Sequence, residues 1–396
     1  MTANGPRPPH IREAVSSIEE QQILAVSKLA LGDPEVIPLW YGESDVPTPA
    51  FICEAATAAM ARGDTFYTHK RGLPELRDLL ATYMGGLYGQ PLDPERITVT
   101  ISGMSAIILM LECMVDAGDN VVIINPVWPN AQAAVRLLGG EPRFVTLDLT
   151  DEGWALDMNR IQSACDDRTR AIFVNSPNNP TGWMMPGSQQ REMLDFARAL
   201  GIWILSDDVY ARMVYDRKAA PSFLEFAEPD DPLIVINSFS KSWAMTGWRM
   251  GWIVHPPAHG DLFGNIIEYN YSCVAPFLQQ AGITAIRDGE PFVAEMLQHC
   301  ARARDIVNER LPRIPGIRDY APPVASFYAF FRIDGVSDSL AFAQDLVRHA
   351  KVGIAPGTAF GPGSEEWFRL CFAQTESQIT EGLNRLEGAL TLRKAS

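Results

Sequence analysis

A lysine among aromatic and apolar neighbours sheds its proton readily and can attack a carbonyl to form an imine. Lys241 is such a lysine: it follows Ser238-Phe239-Ser240 and precedes Ser242-Trp243-Ala244-Met245-Thr246-Gly247-Trp248, company that argues against a solvated face. Arg249, eight residues later, offers a phosphate a planar, two-pronged donor. Asp207 supplies a carboxylate able to keep a pyridine nitrogen protonated, and Tyr210, three residues on, a phenol able to bond a ring oxygen. Asn179, within Asn175-Ser176-Pro177-Asn178-Asn179-Pro180-Thr181-Gly182, adds an amide, and Trp128 a flat face for stacking. Ser102-Gly103-Met104 opens a helical stretch, where free N–H groups and the helix dipole suit a phosphate. Together these residues suit a charged aromatic cofactor that carries a phosphate.

Such residues must converge, and the surrounding chain shows how. Runs rich in Val and Ile at 97–101, 121–124, 143–147, 171–175, 203–207, 233–238 and 250–254 are bounded by Gly, Pro, Asn, Asp or Ser, the mark of strands buried on both faces. Helical patterns at 105–115, 130–138 and 188–200 alternate with them, which predicts a mainly parallel seven-stranded sheet flanked by helices. In open α/β sheets ligands bind beyond the carboxyl ends of the strands, and that is where most of the residues above stand. Residues 11–31 read as one helix, 291–311 as a long amphipathic helix, and helices are expected at 339–350 and 376–392 around strands at 326–333 and 368–373. The expected division is an N-terminal arm with part of a small domain (1–46), a large cofactor-binding domain (47–290) and a C-terminal small α+β domain (291–396).

A chain of 396 residues suits two domains. Its net charge of −15 leaves no basic surplus to neutralise nucleic-acid phosphates. No stretch reaches membrane-spanning length, no signal-peptide pattern stands at the start, and six scattered cysteines without a CxxC pair suit a reduced, cytoplasmic protein. Six dispersed histidines and the lack of HExxH give no metal site.

The segment from Ser238 through Lys241 to Arg249-Met250-Gly251 resembles the lysine signature of class I/II pyridoxal-phosphate-dependent aminotransferases of fold type I, the aspartate aminotransferase superfamily. The stretch Ser176 to Gly182 and the pair Asp207 and Tyr210 resemble the same family, in the same order and at the same spacings, so the likeness spans about 38–373. It implies a Schiff base of pyridoxal 5'-phosphate on Lys241, which also carries protons; Asp207 on the pyridine nitrogen; and Asn179 and Tyr210 on the ring hydroxyl. Trp128 would stack on the ring, and Ser102, Gly103, Met104, Ser238 and Arg249 would hold the phosphate. Tyr67, in Tyr67-Thr68-His69-Lys70-Arg71-Gly72, matches a tyrosine that reaches the phosphate of the partner subunit in a homodimer. Arg369 matches the arginine gripping the substrate α-carboxylate, and Gly42 the glycine backing it; Asn179 would also touch substrate. Ser44 stands where the family usually has proline, and Met104 is bulkier than the usual occupant of its turn.

The implied activity moves the amino group of an L-amino acid to a 2-keto acid. A β-lyase acting on a sulfur amino acid is the alternative on the same fold, since the chemistry is shared up to the carbanion. Ser238-x-x-Lys241 also fits the nucleophile motif of penicillin-binding proteins, but the companion Lys-Thr-Gly is absent. A non-catalytic binding module ranks last, because Lys241, Asp207 and Arg369 are all present. For the substrate side chain, no arginine lies between Phe263 and Ile286; Lys70 or Arg71 could meet a distal carboxylate, Glu268 a cationic side chain, and Trp40, Tyr41 and Tyr271 could line an apolar pocket. Gly357, Gly361 and Gly363 read as turn residues rather than a phosphate loop.

Overall fold

The computed structural model describes residues 9–395. Residues 1–8 of the expected N-terminal arm, and Ser396, lie outside the described residues. Seven strands form the principal sheet: β1 (Ile97–Thr100), β2 (Asn120–Asn125), β3 (Glu141–Thr146), β4 (Thr169–Asn175), β5 (Trp203–Asp207), β6 (Leu233–Ser238) and β7 (Gly251–Val254). Their order is β1-β7-β6-β5-β4-β2-β3. All neighbours run parallel except β7, which is antiparallel to both β1 and β6. The sheet is therefore α/β and mainly parallel, as its Val- and Ile-rich runs imply.

Strand residues alternate between two cores. Ile172 and Val174 of β4 join one, while Ala171 and Phe173 join the other. Helices α1 (Ala50–Ala61) and α2 (Pro74–Tyr88) cover the first face, and α3 (Gly103–Met114) and α4 (Asn130–Leu137) the second. Further along, α5 (Gly187–Leu200) and α7 (Pro276–Asp288) lie on the first face and α6 (Gly260–Tyr271) on the second. Burial on both faces explains why these strands carry no polar alternation.

A third core gathers around a four-stranded sheet of β8 (Ile317–Arg318), β9 (Tyr328–Ile333), β10 (Ala355–Pro356) and β11 (Trp367–Cys371), in the order β8-β9-β11-β10. Helix α8 (Glu290–Arg310) contributes to that core at Met296, Cys300, Ala303 and Val307, and α9 (Glu376–Ala395) at Ile379, Leu383, Leu386 and Leu390. The chain returns to its start here: Ile37–Pro38 pairs in parallel with Val352–Gly353.

The single helix expected over 11–31 is instead three short pieces, Glu13–Ser16, Gln22–Ser27 and a 3₁₀ turn at Lys28–Ala30. The break follows from local chemistry: Ser16 Oγ donates to the Glu13 carbonyl, and Gln21 caps a new helix by accepting from the Leu24 N–H at 3.0 Å. Helices α6 and α7 occupy a stretch to which the sequence reading assigned no element. Among the described residues, no helix is long and apolar enough to cross a membrane.

Candidate active site

The ends of β1, β2, β4, β5 and β6 open onto one cavity of about 380 Å³. Gly42, Gly103, Met104, Trp128, Asn179, Asp207, Tyr210, Ser238, Lys241 and Arg249 all line it, which brings together ten of the sequence-derived residues. Most stand just beyond the carboxyl end of a strand, as the open-sheet rule implies, while Gly42 comes from the N-terminal segment and Arg249 stands just before β7.

Lys241 Nζ donates to the Gly42 carbonyl at 2.6 Å and lies 5.5 Å from the centre of the Tyr210 ring. Enclosure by protein pushes the amine down to about 8, since burial disfavours its charged form. Asp207 is buried on the same cavity, and among the described residues no cation pairs with its carboxylate, whose only hydrogen bond is a 3.4 Å contact from the Val209 N–H. Burial lifts this carboxyl to about 7. Asn175, a lining residue that sequence reasoning did not single out, fixes the neighbourhood: its Nδ2 donates to the Asp207 carbonyl at 3.0 Å, and its Oδ1 accepts the Asn179 N–H at 2.8 Å.

The anion-seeking end is built on the first turn of α3. Intrahelical carbonyls cannot reach the N–H groups of Gly103 and Met104 there. Ser102 holds the turn at φ 96°, a conformation unusual for serine, and its hydroxyl accepts the Ser105 N–H at 3.1 Å. Ser102 is thus a helix cap, buried beside the cavity and outside its lining. Ser238 Oγ donates to Ser240 Oγ at 2.9 Å, and both serines line the cavity, Ser240 being one that the sequence reading missed. Behind them, a Cβ on Gly251 would lie 2.8 Å from the Gly103 nitrogen, so β7 supports this cradle by close backbone approach.

Arg369 sits deeper than expected. It is fully buried outside the cavity lining, donating to Asn179 Oδ1 at 2.9 Å and to the Trp40 carbonyl. Its Nε is buried without a partner, and no carboxylate among the described residues pairs with it. Tyr328, also missed, joins the two ends: its hydroxyl bonds that of Tyr210 at 2.6 Å, and its ring lies 4.5 Å from the Arg369 guanidinium. A Cβ on Gly42 would overlap the same hydroxyl, so glycine is required there. The strand Tyr328–Ile333 is buried almost throughout, so alternation along it does not single out Tyr328.

Tyr67 is 89% exposed and lies outside the cavity of its own chain. Arg71 is buried against Glu95 and Thr98, and Lys70 contacts Asn265 and Glu268, so in this chain neither is free for a substrate carboxylate. Tyr41 lines the cavity, whereas the Trp40 side chain packs against Gly353 and Tyr271 stays outside the lining. Gly361 and Gly363 occupy left-handed turn positions. No group of three or more His, Cys, Asp or Glu side chains among the described residues could hold a metal ion.

These features fit pyridoxal phosphate. A hydroxyl- and N–H-rich end with Arg249 would take the phosphate, the unpaired Asp207 carboxyl the ring nitrogen, Trp128 the ring face, and Lys241 the aldehyde carbon. Tyr210 and Asn179 are left for the ring oxygen.

Comparison with known proteins agrees with that fit. The family model described as aminotransferase class I and II matches residues 34–386. The chain is 34% identical over 384 residues to the aspartate aminotransferase of Pyrococcus horikoshii, covering 96% of this chain and 97% of that one. Identity to aromatic-amino-acid aminotransferase 2 of Thermococcus litoralis is 31%, over 97% and 99% of the two chains. The solved aspartate aminotransferase of Thermotoga maritima superposes with a TM-score of 0.89 at 29% identity, covering 96% of this chain and 100% of that one.

Proposed function

The chain belongs to the class I and II aminotransferase family, and from that premise we propose how its own residues divide the work. It is a pyridoxal-phosphate-dependent aminotransferase, moving an amino group from an amino acid to a 2-keto acid. The matches are to aminotransferases, which does not favour the β-lyase alternative.

Bound in the cavity, pyridoxal phosphate supplies an electron sink for the electrons released at the substrate α-carbon. Lys241 is the covalent anchor. Its Nζ would also carry the proton that leaves the substrate α-carbon, a task suited to an amine held near 8. Asp207 keeps the ring nitrogen protonated, and Tyr210 and Asn179 orient the ring oxygen. Gly103, Met104, Ser238 and Arg249 bind phosphate, with Ser102 capping the helix that presents the first two. Arg369 holds the substrate carboxylate, backed by Asn179 and Gly42; a buried guanidinium without an anionic partner supports that role, since an uncompensated buried charge is costly. The observation that carries the reading is the enclosed amine of Lys241 on the same cavity as the carboxyl of Asp207, which forms no ion pair among the described residues.

Three wider readings belong with it. The two cores of the large sheet and the third core support a large domain over 47–290 and a small one built from 291–396 with part of 1–46, the rest of which is an N-terminal arm. Exposure of Phe66, Tyr67 and Tyr269 supports a homodimer in which Tyr67 reaches the partner's phosphate site. Six unpaired cysteines support a reducing, cytoplasmic setting.

The test is titration of purified protein with pyridoxal phosphate, followed by amino-donor screening with 2-oxoglutarate and pyruvate as acceptors. We expect saturable uptake with a new visible absorption band, then keto-acid release that depends on an acceptor. Protein that remains colourless would overturn the assignment, and acceptor-independent release of pyruvate and ammonia would restore the lyase.

A further inference from the structure

Asp208 is a buried carboxyl that none of the roles above employs. It follows Asp207 at the end of β5, and its N–H still pairs with the Ile236 carbonyl of β6 at 2.9 Å. Successive side chains of an extended strand face opposite ways. Asp207 accordingly lines the cavity, while Asp208 faces the packed side, outside the cavity lining.

There its two oxygens are individually satisfied. Oδ1 accepts from Ser206 Oγ at 2.5 Å and Oδ2 from Ser222 Oγ at 2.8 Å. Ser222 is itself fixed, because it caps the turn at Phe223–Glu225 and its N–H is held by Glu225 Oε1 at 3.1 Å. The ionisable groups facing Asp208 are Asp207 beside it and Tyr88 of α2, with Glu225 near Tyr88; among the described residues no cation faces it. Burial raises the Asp208 carboxyl to about 7, and both serine hydroxyls work against that rise by stabilising the charged form.

We infer that Asp208 is a positioning residue for the cofactor's ring nitrogen, acting through Asp207: a second negative charge, held by Ser206 and Ser222 behind the first, favours the protonated ring. This rests on the reading of the cavity as a pyridoxal phosphate site. The competing role is a structural brace joining the end of β5 to the turn at residue 222. A brace supports any occupant of the cavity equally, whereas a charge discriminates a ring that bears N–H⁺ from one that does not.

Dissociation constants of two ligands separate these roles: pyridoxal phosphate, and its 1-deaza analogue with C–H in place of the ring nitrogen. In Asp208→Asn we expect pyridoxal phosphate to bind about tenfold more weakly, the order of one unit charge roughly 10 Å away in an effective dielectric near 20, with the analogue unchanged. Asp208→Glu should restore much of the difference. Ser222→Ala, which keeps the carboxyl but removes one donor, should shift the ratio the same way by less, and it alone decides the matter should Asp208→Asn not fold. Equal weakening of both ligands, or no change in their ratio, overturns the inference. Wild-type protein that takes up neither ligand would overturn the cavity reading, and this inference with it.

Discussion

Burial drives Lys241 and Asp207 toward neutrality from opposite sides, the amine down to about 8 and the carboxyl up to about 7. Without the cofactor, each is a charge that the fold tolerates poorly. The sign for Asp207 follows from proton uptake. Its raised folded value means the native state binds more protons than the unfolded chain from about pH 4 to about 7, so stability falls as pH climbs through that window. Cofactor-free Asp207→Asn should therefore be more stable than wild type at pH 8, by roughly 2–4 kcal/mol. Calorimetry showing a lower Tm for the variant would contradict this. In the loaded enzyme the order should reverse, because Asn cannot hold a ring cation. Lys241→Ala should lose the visible cofactor band and at least about 10³–10⁴-fold in turnover, measured by absorption and by keto-acid release. Arg369→Lys keeps the charge but not the planar fork; kcat/KM for the amino donor should fall about 10–100-fold with the cofactor band intact.

Among the elements, the meeting of α3 with β7 is the most exacting. Gly251 runs so close to the start of α3 that a methyl group would lie 2.6 Å from the Asn237 carbonyl oxygen and 2.9 Å from the Ser102 carbonyl carbon. Gly251→Ala should displace the helix start, costing about 1–3 kcal/mol of stability and weakening cofactor binding more than substrate binding. A variant with unchanged cofactor affinity would show that this contact is slack. The strands that position the site were legible to within a residue or two, because Val- and Ile-rich runs between turn residues leave few alternatives, and Trp203–Asp207 and Leu233–Ser238 fall where the sequence places them. What was not legible depended on contacts distant in sequence. Nothing near Arg71 announces its pairing with Glu95, and nothing near Tyr328 announces a hydroxyl bond to a residue 118 positions away. Nor does a run of residues around Arg369 reveal that its guanidinium lies behind Asn179 instead of facing the open cavity.

For the whole molecule, the exposed side chains of Phe66 (81%), Tyr67 (89%) and Tyr269 (92%) are large apolar surfaces for a lone chain to leave in water. Ultracentrifugation should find a dimer, and Phe66→Asp with Tyr269→Asp should give monomers that bind cofactor weakly. Monomeric, fully active wild-type protein would remove the basis for placing Tyr67 in a neighbour's site.

The segment at 39–48 is stitched into distant parts of the chain: Trp40 accepts from Arg369, Gly42 from Lys241, Leu39 from the Cys371 N–H, and Thr48 bonds to Ala244 and Trp248. Translation delivers the first of these partners some three hundred residues before the last. A nascent chain still short of β11 holds every residue lining the cavity but lacks the Arg369 and Cys371 bonds that tie down Trp40 and Leu39, so the vitamin-derived group should be captured firmly only after synthesis is nearly finished. Stalled ribosomes carrying chains cut at residue 360 would accordingly remain unlabelled by it, while release of the full polypeptide restores uptake.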